Sequence, residues 1–375
     1  MQAWPRSTWF ALVATLLTAA AVLVEAALAR SASPGFDAGP AARETEGFAD
    51  LGFRLIWSTD LQLPRADELA EMRVLDDRVV TVERRRRFVT ALDLAAGRPM
   101  WRTVVGEEGQ RLYAPFRHGD RIYVNDSRKM YALDADTGRT VQINPLPHAV
   151  NGPPVLFHEN AIYTTRGGTV FAVDVVTADV KWQLHFHNAI RTRPLLAFTN
   201  ATGGLFVVDE TGTYRFISPT DGRVRWHGRL LGGVSGDPVA TEDAIIIPSH
   251  DTRLYALSII TGDELWRLPT GHRLTGSPLL IGEVIAQPLP NGDYLLVHAE
   301  TGESLLTLQT TGRPMLRFGD YLLFDHDDHL ALHDRADGRR VRDLPATDAV
   351  LADADEEGRF VFGSRTGRIL MVRPR

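Results

Sequence analysis

The chain has 375 residues, 41 Lys plus Arg against 47 Asp plus Glu, 44% hydrophobic residues and no cysteine. That composition is globular, and a net charge of -6 gives no basic surplus for phosphate contacts, which argues against nucleic acid or an anionic membrane surface as partner. The absence of cysteine excludes disulfides, thiolate zinc sites, cysteine nucleophiles, iron-sulfur clusters and a lipid carried on an N-terminal cysteine.

Residues 1-29 differ from the rest. After Arg6 the run from Phe10 to Val24 carries no charge, and Ala27-Leu28-Ala29 is a small-x-small pattern of the kind cut by signal peptidase. Two readings stay open, a cleaved export signal and an uncleaved anchor. The shortness of the apolar run before Glu25 favours cleavage, and either one predicts an exported protein in the periplasm or cell envelope. Residues 30-50, rich in Ser, Ala, Pro, Gly and Glu, have no periodicity and read as a flexible linker.

Over residues 51-375 internal repetition dominates. Seven segments run from an apolar strand ending in Ala-x-Asp, or a variant of it, through a tight turn to a second strand with a large residue four positions after the turn. The turn positions 97, 138, 178, 222, 262, 302 and 338 give a period of about forty residues. Trp101, Trp182, Trp226 and Trp266 occupy the fourth position after the turn, and Trp57 falls in the same phase one period earlier. A large flat side chain once per unit is what stacking of neighbouring units requires, so these five tryptophans are assigned to docking.

Each period accommodates four short strands. The first follows Pro115, Pro154, Pro194, Pro238, Pro278 or Pro314; the second covers 121-124, 161-164, 205-208, 244-247, 284-286 or 321-324; the third and fourth flank the turn. Four antiparallel strands every forty residues describe a blade of an all-β propeller. The last third-type strand, Gly367 to Val372, lacks a successor, whereas Phe53 to Leu61 is a fourth strand with no blade before it. Pairing the two predicts an eight-bladed β-propeller closed by strands from both chain ends, with no exposed sheet edge at the seam.

The pattern Ala-x-Asp-x-x-Thr-Gly-x-x-x-Trp, nearly complete at residues 91-101 and 172-182, resembles the docking repeat of PQQ-like (quinoprotein-like) propellers. Within that superfamily, length, export and blade count resemble the BamB family of outer-membrane assembly factors. The resemblance implies a non-catalytic scaffold, with no cofactor, that binds protein partners of the envelope assembly machinery. That family is typically lipid-anchored, and this chain lacks the cysteine for a lipid, so attachment to a membrane would fall to the N-terminal helix or to a partner. A monomer that binds no nucleic acid is expected. The alternatives are a PQQ- or metal-dependent oxidoreductase and the ectodomain of a membrane-anchored sensor. Against the quinoprotein reading, a vicinal cysteine pair is impossible, and Asp93, Asp134 and Asp174 read as turn carboxylates accepting backbone N-H groups.

Other clusters carry bland readings. His185 and His187 are spaced to share a metal on one side of an extended segment but read as solvated loop histidines. Asp325 to His329 reads as a polar turn, Gly203-Gly204 and Gly232-Gly233 lack the strand-to-helix context for phosphate, and Glu83 with Arg84 to Arg87 reads as a solvated hairpin. Sidedness is more informative. The first-second and third-fourth turns of all blades share one face, here the turn face, which is acidic. The second-third turns and the links between blades share the other, the link face, which is near neutral and holds His148, His185, His187, His250, His272, His326 and His329. Within it the link from His185 to Arg193, HFHNAIRTR, combines an aromatic, an Ile and two arginines with no acid. His185, Phe186, His187, Ile190, Arg191 and Arg193 are therefore the candidate partner-binding residues, with catalytic and metal-ligating residues expected to be absent.

Overall fold

The computed structural model describes residues 53-374 apart from 311, 319-320, 327-329, 335-337, 345-348 and 355-358, together with residue 49. The expected export segment, residues 1-29, and nearly all of the expected linker lie outside the described residues.

Thirty-two strands form eight four-stranded antiparallel sheets. Blade 1 consists of Leu69–Leu75, Arg78–Glu83, Phe88–Asp93 and Pro99–Val104. Blades 2 to 7 repeat that order over residues 116-145, 155-185, 195-229, 239-269, 279-308 and 313-344. First strands of neighbouring blades touch, which places them around the ring's axis. Blade 8 joins Ala349–Ala354, Phe360–Ser364 and Arg368–Pro374 to the N-terminal strand Phe53–Asp60, paired from Phe53 opposite Pro374 to Asp60 opposite Arg368. The expected closure is therefore the observed one. One expectation is corrected: five of the six prolines immediately precede their strands, but Pro314 lies inside Arg313–Phe318, where a bulge between Pro314 and Leu316 accommodates a residue that cannot donate to the ladder.

The sequence pattern explains the burial. Second and third strands are sandwiched between neighbouring blades, so they read as continuous apolar runs, as in Ala244–Pro248, where every residue is buried. Fourth strands alternate, and Pro99–Val104 buries Trp101 while Met100, Arg102 and Val104 stay outside. Each core cluster draws on two blades. Val80, Val82, Val89 and Trp101 of blade 1 pack with Ile122, Val124, Tyr131 and Leu133 of blade 2, so no blade buries its apolar face alone.

The tryptophan spacing has a geometric cause. In every blade the ladder between third and fourth strands slips by one residue immediately before the docking position, leaving Ile56, Met100, Val141, Lys181, Arg225, Leu265, Leu305 and Val341 as the extra residues. The bulge turns the next side chain towards the following blade. Directly across the ladder from three of these tryptophans stands an alanine, with Ala91 opposite Trp101, Ala172 opposite Trp182 and Ala256 opposite Trp266, and its small side chain leaves room for the indole. In blade 4 the opposite residue is Phe216, and Trp226 stacks on it instead, with centroids 4.6 Å apart.

Each indole lies on the turn glycine of the next blade. A Cβ added to Gly97, Gly138, Gly222, Gly262 or Gly302 would sit 2.4 to 2.9 Å from Trp57, Trp101, Trp182, Trp226 or Trp266 respectively, and all five glycines have positive φ. The indole N-H closes the contact on a carbonyl three residues before the glycine, from Trp57 to Leu94 (2.8 Å), Trp101 to Ala135 (2.8 Å), Trp182 to Pro219 (3.0 Å) and Trp226 to Ile259 (3.1 Å). Trp266 makes the packing contact without this bond. The turns at Gly97, Gly138 and Ala178 are pinned by the expected carboxylates, since Asp93 accepts from Ala96 N, Asp134 from Thr137 N and Asp174 from Val176 N and Thr177 N.

The interface between blades 2 and 3 departs from this rule in a correlated way. Gln142 stands where the tryptophan would be and donates to Val176 O at 3.3 Å, and the facing turn residue is Ala178, held at φ 63°. Where no indole presses on the turn, a Cβ is tolerated.

Two outcomes follow for stability. Trp101→Ala removes a packed side chain and its bond to Ala135, and should lower unfolding free energy by about 3 to 5 kcal/mol in denaturant titration; Gly138→Ala should also destabilise, through both the clash and the positive φ. In a double-mutant cycle, Gln142→Trp should destabilise on its own against the Ala178 Cβ and gain stability when combined with Ala178→Gly, so that the two substitutions are favourably coupled by about 1 kcal/mol or more.

Candidate protein-binding face

The link from His185 to Arg193 leaves blade 3 at the end of Val180–His185 and enters blade 4 at Leu195–Phe198. Backbone bonds fix its course, with Phe186 N donating to Gly168 O at 2.8 Å and Glu210 N to Ala189 O at 2.8 Å. Its side chains divide between inside and outside. Phe186 (5% exposed), Ile190 (0%) and Thr192 (1%) face in, and Phe186 and Ile190 belong to the core cluster between blades 3 and 4. Thr192 donates to Val208 O at 3.1 Å. His185, His187, Arg191 and Arg193 face out.

This corrects the expected site in two respects. Phe186 and Ile190 are anchors of the link and present no apolar surface to a partner, because blades 3 and 4 enclose them. The absence of acid along the link does not persist in space either. Arg191 Nε meets Glu210 Oε2 at 2.6 Å, and Arg193 donates its backbone N-H to Asp237 Oδ1 at 2.7 Å with Nε 3.8 Å from Oδ2. Both guanidinium side chains nevertheless remain 54% and 59% exposed. Arg215, which the sequence did not single out, lies over the Phe186 ring at 4.5 Å and donates to His185 O at 2.9 Å. Asn151, Thr164, Arg191, Arg193 and Asp237 line a shallow niche beside the link. The contacts continue around the ring, since Asp237 N donates to Ser277 Oγ at 2.8 Å, forty residues on.

The histidines of this face are held in place rather than grouped. His185 Nδ1 lies 3.2 Å from Thr169 Oγ1, and His148 packs edge-on against Phe171 at 5.3 Å. Among the described residues no three His, Asp or Glu side chains come together as a metal cage, and Asp327, Asp328 and His329 of the Asp325 to His329 cluster lie outside the described residues.

A serine-histidine contact between distant loops had no sequence signature and tests for nucleophilic chemistry. Ser235 Oγ is 2.9 Å from His250 Nε2, but His250 Nδ1 is 3.0 Å from Arg273 Nη2. An arginine can only donate, so Nδ1 is the acceptor and Nε2 carries the proton towards the serine. A general base needs the opposite tautomer and an acid behind it. The arrangement braces the link face and does not activate Ser235.

Burial, followed by the Arg273 charge, holds the His250 pKa below its ordinary value. Burial does the same to His333, against the opposing pull of its bond to Gly338 O. A lowered folded-state pKa means that the unfolded chain takes up protons first, so these histidines contribute stability above pH 6.5 that is lost as pH falls through their folded values. The melting temperature should therefore drop on acidification from pH 7.5 to 5 by calorimetry, and His250→Gln should shed part of that slope.

With this geometry in view, the comparisons with known proteins agree. A family model described as "Outer membrane protein assembly factor BamB" matches residues 85–203 and 194–320. Curated relatives include the outer membrane protein assembly factor BamB of Yersinia pestis, 21% identical over 58% of this chain and 61% of its own length. That of Moranella endobia is 22% identical over 72% of this chain and 76% of its own. The serine/threonine-protein kinase AfsK of Streptomyces griseus is 25% identical over 44% of this chain. The chain thus spans about three-fifths of the Yersinia relative and 21% of the kinase. Among solved structures, BamB from Moraxella catarrhalis superposes with a TM-score of 0.66 at 17% identity, over 86% of this chain and 97% of that one.

Proposed function

The chain belongs to the family described as outer membrane protein assembly factor BamB, and on that premise we propose that it is an exported, non-catalytic scaffold of the cell envelope that binds protein through its link face. The partner is a component of the machinery that assembles outer-membrane β-barrel proteins, in keeping with the names of its relatives.

One observation carries the reading. Arg191 and Arg193 are oriented by Glu210 and Asp237 yet keep more than half of their side-chain surface open to solvent. Buried Phe186 and Ile190 hold the loop beneath them, so much of the ordering entropy that binding demands is already lost in the free protein. Arginine in such a position is well suited to a fork contact with a partner carboxylate. His187, exposed earlier on the same link, completes the outward set. The catalytic alternative finds no matching arrangement in the Ser235 and His250 pair, whose protons are the wrong way round for it.

The test is capture from a native envelope extract. Replacing Arg191 and Arg193 together by Glu reverses the charge and sets both positions against Glu210 and Asp237. Capture of the partner seen with the unaltered protein should fall by about tenfold, while the melting temperature and circular dichroism stay near their original values. Equal recovery of the same partner by a folded double variant would move the binding site off this link.

A further inference from the structure

His250 stands where three loops of the link face meet. Its own turn, between Ala244–Pro248 and Arg253–Ser258 of blade 5, lies against the link into that blade and the link out of it. Backbone bonds hold the three together, from His250 N to Gly233 O at 2.8 Å, Leu274 N to Ser249 O at 3.2 Å and Thr270 N to Thr252 O at 2.8 Å. Ser249 and Leu274 are fully buried, whereas the His250 side chain stays partly open. A Cβ on Gly233 would come within 3.1 Å of His250 Nδ1 and would strike Glu210 O, so a glycine is what lets the incoming link pass this close.

Both ring nitrogens are engaged, and both contacts require the same tautomer. Ser235 has one hydroxyl proton, which it donates to Thr275 O at 3.3 Å, so its oxygen accepts the Nε2 proton of His250 at 2.9 Å. Arg273 Nη2 can only donate, so Nδ1, 3.0 Å away, accepts. Arg273 and Thr275 belong to the same outgoing link, which therefore engages the imidazole from both edges.

The two contacts answer protonation differently. A second proton can enter only at Nδ1, since Nε2 already carries one. The Ser235 bond survives, because Nε2 remains a donor. The Arg273 bond does not survive, because Nδ1 loses its lone pair and two cations then face each other where a donor met an acceptor.

The neighbouring acids are engaged elsewhere. Asp251, next in the turn, accepts from Tyr255 Oη and from Arg253 at 3.2 Å. Glu210, from the turn packed on Gly233, takes Arg191 at 2.6 Å, and Asp237 of the incoming link takes Arg193 N. His272, beside Arg273, is exposed and brings no negative charge. Arg273 is itself exposed, and His250 is the partner that orients it. Burial and the Arg273 charge keep His250 neutral at pH 7.5 and place its titration below 6.5.

We infer that Ser235, His250 and Arg273 form an acid-released latch on the link face: neutral His250 fastens the Arg273 guanidinium, and a proton on Nδ1 frees it while the Ser235 side stays closed. Below the transition this sector of the face gains a positive charge and an arginine able to turn to a partner carboxylate. Above it, such a carboxylate must compete with His250. The latch belongs to the folded chain and holds whether or not the link face is an interface.

Nuclear magnetic resonance on the full-length protein, isotopically labelled at histidine and arginine nitrogen, reads both ends of the latch. At pH 7.5 His250 should carry its proton on Nε2 with Nδ1 bare, and the Arg273 Nε-H should be nearly as rigid as the backbone. On acidification to pH 4.5 the Arg273 Nε shift should move with the same midpoint as the His250 nitrogens, and the side chain should lose its rigidity. Arg273→Ala should move the His250 midpoint to higher pH, since one cause of its lowering is gone, and His250→Gln should leave Arg273 without a transition over that range. A proton on Nδ1 at pH 7.5, an Arg273 signal that stays still or is mobile throughout, or a His250 that stays neutral at pH 4.5 would overturn the latch. So would an unchanged His250 midpoint in Arg273→Ala, or an Arg273 transition that persists in His250→Gln. The spectra of the unaltered protein decide by themselves even where a variant fails to fold.

Discussion

The contact on which this structure rests is an indole laid flat on a glycine across the gap between two blades. A four-stranded sheet of this length has two apolar faces and cannot hide either by itself. Neighbours must cover them, and the contact of Trp101 with Gly138, repeated at four other interfaces, fixes how each blade sits on the next. The bulge before each docking position serves that one contact throughout, and at the Trp101 interface so do the alanine opposite it and the Asp-pinned turn beneath it. Ring closure follows from the same need, because blade 8 lacks a fourth strand of its own and Trp57 in the N-terminal strand supplies both the strand and the indole.

That division of labour has a functional consequence. The turn face carries the glycine turns and their carboxylates, so its chemistry is committed to assembly of the ring. The link face carries the second-third turns and the links, which vary from blade to blade without disturbing the docking contact. Arginines braced by acids and buried anchors beneath loops both occur there. On the reading proposed here, scaffold and recognition lie on opposite sides of the same molecule.

Much of this was legible in the sequence because it repeats. A covalent period of forty residues, tryptophans in phase and an orphan strand at each end define blade type, number and closure without any long-range information. What escaped was whatever depends on residues distant in sequence. The link from His185 to Arg193 contains no acid, yet Glu210 and Asp237 arrive from blade 4 and from the following link. Phe186 and Ile190 looked like surface because a loop has no periodicity to reveal which side is inward, and neighbouring blades decided it. Ala178 stands where the neighbouring repeats have a turn glycine, and the reason lies in Gln142 on the facing blade, which leaves no indole to press there. The run Glu83 to Arg87 reads as a solvated hairpin, and nothing in it reveals that Asp67, distant in sequence, accepts the backbone N-H groups of Arg85 and Arg86.

We propose that protein partners meet the link face and not the turn face. A photo-crosslinking amino acid placed at His187 on the link face and, separately, at Glu300 on the turn face tests it directly, since both side chains are exposed. On irradiation in intact cells, the His187 position should yield discrete crosslinked species with envelope proteins, identified by mass spectrometry, and the Glu300 position none above background. Crosslinks of equal yield from Glu300, or none from His187 in a folded and exported protein, would contradict the account.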